Sequence, residues 1–260
     1  MAHQLQRKSL PGGKFTLPTA FIAICILTFF SGVLATAYFC NSMCCDMEMP
    51  GGWTMSMMWM RMPDQTWLAS VAGFLIMWLA MMVSMMMPSA LPMFLKTQRN
   101  WVSLCYMAFG YFTVWLAVGI ALYAIGVTLA TFAMQSELLS RAIPLLLGLL
   151  LILAGIMQFT PWKMSQLLRC RSSLGCDISF LQDEKSFRLG CRQGAACCIC
   201  CTVPMTIQLA LGIMNPLVMI IVAMIITAEK LLPRPKITAR IIGFATIVLG
   251  LASIFFIHIY

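Results

Sequence analysis

Apolar stretches long enough to cross a lipid bilayer recur along the whole chain, and they constrain its fold more than any other feature. Hydrophobic residues make up 61% of the chain and charged residues only 10%, which is typical of a polytopic membrane protein rather than a soluble domain. We therefore predict an all-α bundle of about seven transmembrane helices, forming a single integral membrane domain over residues 1–260. The predicted spans are Leu17–Phe39, Trp67–Leu95, Trp101–Phe132, Ala142–Trp162, Gln193–Ile213, Asn215–Leu231 and Ile237–Ile259.

The distribution of basic residues predicts the orientation of these spans. Of the 17 Lys and Arg, 15 are assigned to the N-terminal tail or to the connections after the second, fourth and sixth predicted spans. Only Arg61 and Arg141 fall elsewhere. The positive-inside rule then predicts a cytoplasmic N-terminus and an external C-terminus. Residues 1–16 become a cytoplasmic tail, 40–66 an outer loop and 163–192 a cytoplasmic loop. The net charge of +9 is thus interpreted as a signal for topology and contact with membrane lipid, and no nucleic-acid partner is expected.

The second predicted span has an unusual density of methionine. Six of the twelve residues from Met77 to Pro88 are Met, and positions four apart lie one above the other on a helix. Thioether sulfur is a soft ligand that suits Cu(I), whereas scattered methionines fill irregular gaps in helix packing. At this density we favour metal binding. The candidate ligands in this span are Met81, Met85 and Met86.

The fifth predicted span opens with a run of cysteines. Cys197, Cys200, Cys201 and Met205 are three or four residues apart, so they share one face of a helix. Thiolates at this spacing can ligate Cu(I) or Zn²⁺, whereas single buried cysteines act as small hydrophobes. These four residues are predicted metal ligands.

The predicted topology relates the two sulfur-rich runs to each other. Both lie in the inner half of the membrane, so Met81 and Met85 are expected to face the cysteines and complete one mixed sulfur site. Because a rigid helix presets its ligands, the helical cysteines are expected to hold more of the metal affinity than Cys170 or Cys176 in the cytoplasmic loop.

The outer loop between the first and second predicted spans is rich in Met, Cys and carboxylates. Two interpretations stay open. An outward sulfur cluster can capture Cu(I), whereas an amphipathic re-entrant segment would place Trp53 and Trp59 at the membrane interface. The run Met55–Met62 is expected to be extended or to form a surface helix. The candidate capture ligands are Met43, Cys44, Cys45, Met47, Met49, Met55, Met57 and Met58.

Several motifs, taken in order, resemble one family. They are Trp78-x-x-Met81-x-x-x-Met85-Met86-x-Pro88-x-x-x-Pro92, Gln158-x-Thr160-Pro161-x-Lys163, Cys170-Arg171, Gly194-x-x-Cys197-x-x-Cys200-Cys201-x-x-x-Met205, Gly212-x-Met214-Asn215 and Glu229-Lys230. Together they resemble the bacterial predicted metal-binding integral membrane proteins, a family defined largely as a domain of unknown function. The resemblance implies a multi-pass protein of the bacterial cytoplasmic membrane that binds a metal, often thought to be copper. It implies no established reaction.

The chain also departs from that family. Where this chain has Gln166 the family usually has cysteine, which removes one candidate ligand. Where the chain has Ile199, Thr202 and Pro204, the family has Gly, Trp and Leu, and Pro204 is expected to break the fifth helix and alter the site.

The sequence excludes several other functions. The predicted spans hold no internal charged residue of the kind that proton-coupled transporters need, and Glu229 with Lys230 is expected at the inner interface. No glycine-rich phosphate loop is present. We predict a non-enzymatic membrane protein that binds a soft metal, copper first of all, for storage, transfer or delivery. The alternative is a structural or assembly subunit of a larger membrane complex, such as a copper-dependent oxidase or monooxygenase; a thiol redox protein ranks third.

Overall fold

The computed structural model of the chain describes residues 19–42, 46–49, 53–60, 66–97, 101–172, 183–213 and 215–259. This part of the chain forms eight α-helices, with a two-stranded antiparallel hairpin between the first two. The helices are α1 (Thr19–Ser42), α2 (Trp67–Thr97), α3 (Trp101–Gln135), α4 (Glu137–Met157), α5 (Pro161–Ser172), α6 (Asp183–Leu211), α7 (Pro216–Leu231) and α8 (Pro235–Ile259). The strands are β1 (Asp46–Met49) and β2 (Trp53–Ser56), and a short 3-10 helix, Met57–Trp59, follows them.

Six of these helices, α1, α2, α3, α4, α6 and α8, are long and apolar enough to cross a membrane. The all-α membrane bundle predicted from the sequence is thereby confirmed, while the orientation of the chain stays a prediction. The sixth predicted span, Asn215–Leu231, corresponds to α7, which has only 16 residues and is not among these six helices. Its start is fixed by Asn215, whose side-chain oxygen accepts from the N–H groups of Leu217 and Val218 at 3.0 and 3.3 Å. Its end precedes Pro233, which disfavours a helical conformation at Leu232.

Two helix boundaries differ from the prediction, and both differences matter for the site. The fourth predicted span ended at Trp162, but α4 ends at Met157 and a separate helix, α5, begins at Pro161 inside what was predicted as a loop. Proline is well tolerated at a helix start because its missing N–H has no partner there in any case. Helix α6 starts earlier than predicted, at Asp183, and continues through Pro204 to Leu211. The expected break at Pro204 is therefore wrong.

Glycines permit close approach between the helices that hold the site. Helix α3 packs mainly along α6, and α4 along α8. A β-carbon on Gly190 of α6 would collide with the backbone of Met107 on α3. A β-carbon on Gly155 of α4 would come within 2.8 Å of the carbonyl oxygen of Gly243 on α8. Such small-residue contacts replace the hydrophobic driving force that lipid does not supply between helices.

The main buried core runs along α2 and its contacts with α3, α6 and α7. Trp78 belongs to it, and its indole N–H donates to the carbonyl of Trp115 at 2.9 Å. The core also contains most of the α2 methionines and two cysteines of α6. The sulfur-containing residues of these two runs are therefore mostly buried inside the protein.

Candidate metal centre

Four cysteine thiols meet where α5 packs against α6. We call this group, Cys170, Cys197, Cys200 and Cys201, the thiol cluster. The sulfurs of Cys197 and Cys201 are 3.7 Å apart, and the Cys170 side chain interacts with those of Cys197 and Cys200. The four thiols thus form one interacting group. All four are buried.

The Cys197–Cys201 pair has the spacing of two ligands in a sulfur coordination shell. A metal–sulfur bond of about 2.3 Å places the sulfurs of a tetrahedral site about 3.8 Å apart, close to the 3.7 Å between Cys197 and Cys201. In the part of the chain that the structure describes, however, no group of three or more His, Cys, Asp or Glu residues forms a ready-made metal site. We interpret the cluster as hydrogen-bonded thiols that must exchange S–H···S contacts for metal–sulfur bonds.

Cys197 lies in the most polar environment of the four. The Lys230 ammonium donates to its sulfur at 2.9 Å, and the Tyr111 hydroxyl donates to the same sulfur at 2.9 Å. Lys230 also donates to the hydroxyl of Ser89 on α2 at 3.2 Å. Two strong donors aimed at one sulfur stabilise a thiolate, which is the form that binds metal. The site therefore draws on α2, α3, α5, α6 and α7.

A second buried lysine, Lys163, contacts the backbone of the cluster residue Cys200. The ammonium of Lys163 lies 3.5 Å from a carboxylate oxygen of Glu229, and the other carboxylate oxygen accepts from the side-chain amide of Gln158 at 2.6 Å. Lys163 also donates to the backbone carbonyl of Cys200. That carbonyl would normally accept from the residue four positions on, which here is Pro204 and has no N–H. The proline thus frees an acceptor that Lys163 satisfies, which explains why α6 continues through it.

Cys170 is held as a neutral thiol. Its hydrogen bonds with Cys197 and Cys200, followed by burial, raise the pKa of Cys170 above its usual range. The group is therefore protonated at neutral pH, and it must release a proton before it can ligate a metal.

The methionines predicted as ligands belong to, or pack against, the same buried core as part of this cluster. Met81, Met85 and Met86 are each no more than 1% exposed, and they share one core with Cys197 and Cys201. Met205 is only partly buried and packs against the edge of the same core. Direct completion of the site by Met81 and Met85 stays a prediction.

The outer-loop candidates lie away from the thiol cluster, in and around the hairpin. Met47 pairs directly with Met55 across the two strands, so these side chains and that of Met49 share one face of the hairpin. Met49 and Met55 pack against Ala130 and Ala133 of α3. Met58 joins the core of α2, and Met57 begins the 3-10 helix. The remaining candidates, Met43, Cys44 and Cys45, lie outside the described residues.

Sequence reasoning missed several residues of this site. Cys170 was placed in a loop, but it lies on α5 and joins the cluster, so the reason for ranking it below the helical cysteines is wrong. The burial of three charged residues inside the protein was also not anticipated: Lys163, Glu229 and Lys230 are 1%, 2% and 7% exposed. The signal was available: all three belong to the motifs that carried the family resemblance. Cys176 lies outside the described residues.

A family model described as "PpoB2: Copper chaperone" matches residues 75–253. The chain belongs to this family. The match contains the whole thiol cluster and both buried lysines, and it leaves out the hairpin. Membership associates the protein with copper, as the sequence predicted in general terms. Neither a curated protein nor a solved structure matches the chain.

Proposed function

We propose that this protein is a non-enzymatic Cu(I) chaperone of the bacterial cytoplasmic membrane, in which the thiol cluster holds copper for delivery to an acceptor. One observation carries the proposal: four buried thiols from two helices gather beside a buried ammonium group. Membership of a copper-chaperone family supports copper as the metal. Here copper is the cargo of the protein, not a resident cofactor.

The charges around the cluster support a monovalent soft cation. Thiolates prefer Cu(I) among the common cellular metals, and two thiolates around one Cu(I) leave a net charge of minus one. Lys230 supplies the opposite charge at 2.9 Å from Cys197. In a buried environment such a charge balance decides whether an ion can stay, because an uncompensated buried charge is strongly unfavourable.

The position of the cluster supports transfer rather than permanent storage. Cys170 is carried by α5, a short helix outside the candidate membrane spans, while the other three thiols lie on the membrane helix α6. The cluster therefore joins the bundle to a segment that an acceptor can approach from the membrane surface. A copper enzyme, or another subunit of a membrane complex, is the partner we propose.

The proposal is tested by Cu(I) competition titration of the purified protein and its serine variants under anaerobic conditions. Cys170→Ser, Cys197→Ser, Cys200→Ser and Cys201→Ser should each weaken Cu(I) binding by about tenfold or more, which corresponds to about 1.4 kcal/mol. Cys198→Ser is the matched control, because Cys198 is next to Cys197 in the sequence but is only partly buried and is not one of the four thiols of the cluster. A protein that binds no Cu(I), or a Cys198→Ser variant as weak as the others, would overturn the assignment and favour the subunit alternative.

A further inference from the structure

The buried methionines of α2 form a continuous column inside the bundle. Met77, Met81 and Met85 are each 1% exposed, and successive members are about 6 Å apart along the helix axis. Met82 and Met86, which are both 0% exposed, form a neighbouring row. All five lie in the same core.

The inner end of this column lies beside the thiol cluster. Met85 and Met86 are three to four residues before Ser89, which places them one helical turn away from it. Ser89 is hydrogen-bonded to Lys230 at 3.2 Å, and Lys230 is hydrogen-bonded to Cys197 at 2.9 Å. The last thioethers are therefore within one helical turn of Ser89, which is connected to the cluster through Lys230.

The outer end of the column leads to the hairpin. Met58, just after the hairpin, belongs to the same core as Met77. The ring of Trp59 lies 5.5 Å from that of Phe74, one helical turn before Met77. On the hairpin itself, exposure is 37% at Met47 and falls to 3% at its cross-strand partner Met55. Buried thioethers are thus present on the hairpin, in the 3-10 helix after it and along α2.

Packing alone does not explain the distribution of residue types on α2. From Ile76 to Met87, every buried aliphatic position is Met, whereas Ile76, Leu79 and Val83 occupy positions that are exposed or half-buried. Leucine and methionine have similar volumes and exchange with little effect on core packing. A helix that needed only to fill space would not reserve methionine for its interior in this way. The segregation favours a function that requires sulfur.

We propose that this methionine column is a relay that passes Cu(I) from the hairpin face to the thiol cluster. The inference rests on the proposed function, since the cluster is the destination. In each step one copper–thioether bond forms as another breaks, with no change in the oxidation state of copper and no proton transfer. At the last step the copper–thioether bond to the column breaks as a copper–thiolate bond forms, and the thiol proton leaves to water. Exchange from weak, neutral thioethers to thiolates provides the direction of transfer.

The test measures the rate at which the thiol cluster is loaded in vesicles that hold the protein in one orientation. The copper donor is a membrane-impermeant sulfonated Cu(I) chelate, added on the hairpin side in one arm and on the opposite side in the other. Met77→Leu should slow loading from the hairpin side by about tenfold or more, because the step across the missing sulfur lengthens from about 6 to about 12 Å. Loading from the opposite side, and the equilibrium affinity of the cluster, should stay unchanged.

Two further variants keep the result interpretable. Met58→Leu removes the buried thioether between the hairpin and α2 and should show the same one-sided defect, so a folding failure of one variant leaves the other. Met224→Leu is the matched control, because Met224 is 59% exposed on α7, and it should load like the parent. Parental loading rates in both relay variants, or equal slowing from both sides, would overturn the relay while leaving the cluster as a Cu(I) site. A parent protein whose cluster binds no Cu(I) would overturn the proposed function and the relay together.

Discussion

Replacement of Lys230 by methionine tests whether the buried ammonium group creates the copper affinity of the thiol cluster. Lys230→Met keeps much of the side-chain length and removes the charge and the donor to Cys197 at 2.9 Å. A hydrogen bond that involves a charged group contributes about 1.5–3 kcal/mol. At 1.4 kcal/mol for each factor of ten, the loss should weaken Cu(I) binding by about 10- to 150-fold. Lys230→Arg keeps the charge, and we expect a smaller loss from it.

The assay is anaerobic competition titration with a Cu(I) chelator in detergent, with thermal unfolding followed in parallel. Lys236→Met is the matched control, because Lys236 is exposed near the start of α8 and its charge is screened by solvent. The control should bind Cu(I) like the parent. If Lys230→Met binds within about twofold of the parent, which is less than 0.5 kcal/mol, Lys230 does not compensate a thiolate and the electrostatic argument fails.

Three other predictions follow from the same geometry. The raised pKa of Cys170 keeps its thiol protonated at neutral pH, so Cu(I) affinity should rise with pH from 6 to 8. Cys170→Ser should flatten this dependence in titrations at several pH values. An unchanged slope would exclude Cys170 as a ligand. Glu229→Gln leaves Lys163 buried without its carboxylate partner and should lower the free energy of unfolding by about 3–5 kcal/mol. The measurement is denaturation in detergent, and the double variant Lys163→Met/Glu229→Gln should partly recover the loss. Gly190→Ala forces α6 away from the Met107 backbone and should lower the melting temperature. Gly73→Ala should not lower it, because an added β-carbon there meets nothing within 4 Å. Equal melting temperatures would show that the α3–α6 contact is not tight.

The parts of the site that could be predicted from the sequence are those set by helical periodicity. The spacing of Cys197, Cys200 and Cys201 predicted a shared face because a helix repeats every 3.6 residues, and all three are buried together. The same argument identified the α2 methionines, which occupy the core. Periodicity is local, so it holds whatever the rest of the chain does.

The parts that could not be predicted depend on contacts between distant segments. Lys163 and Glu229 are 66 residues apart in the sequence, and Ser89 and Lys230 are 141 apart. Hydropathy alone treats a lysine or glutamate at the end of an apolar stretch as a marker of the membrane boundary. The structure buries them because each charge has a partner that only the assembled bundle brings close. Cys170 was misplaced for the same reason, since its helix α5 matters only through its packing on α6.

The hairpin illustrates a different limit. Gly51 and Gly52 between two short alternating segments are a recognised turn signal, but the high methionine content directed the interpretation towards a capture loop or a re-entrant segment. In the structure Trp53 donates its indole N–H to the carbonyl of Ser140 at 2.9 Å. Trp59 packs against Phe74 rather than serving only as an interface anchor. Composition thus identified the chemistry of this segment but not its conformation.

The late position of Lys230 in the chain has a consequence for the synthesis of the protein. Lys230 follows Cys197 by 33 residues. At 5–20 residues per second, the ribosome therefore adds Lys230 about 2 to 7 seconds after Cys197. During that interval the nascent chain carries all four thiols without their balancing ammonium group. If the cluster holds copper as proposed, tight retention begins only when α7 has entered the bundle. A ribosome-bound or truncated chain that ends before α7 should release copper readily, which makes completed membrane insertion itself the condition for loading.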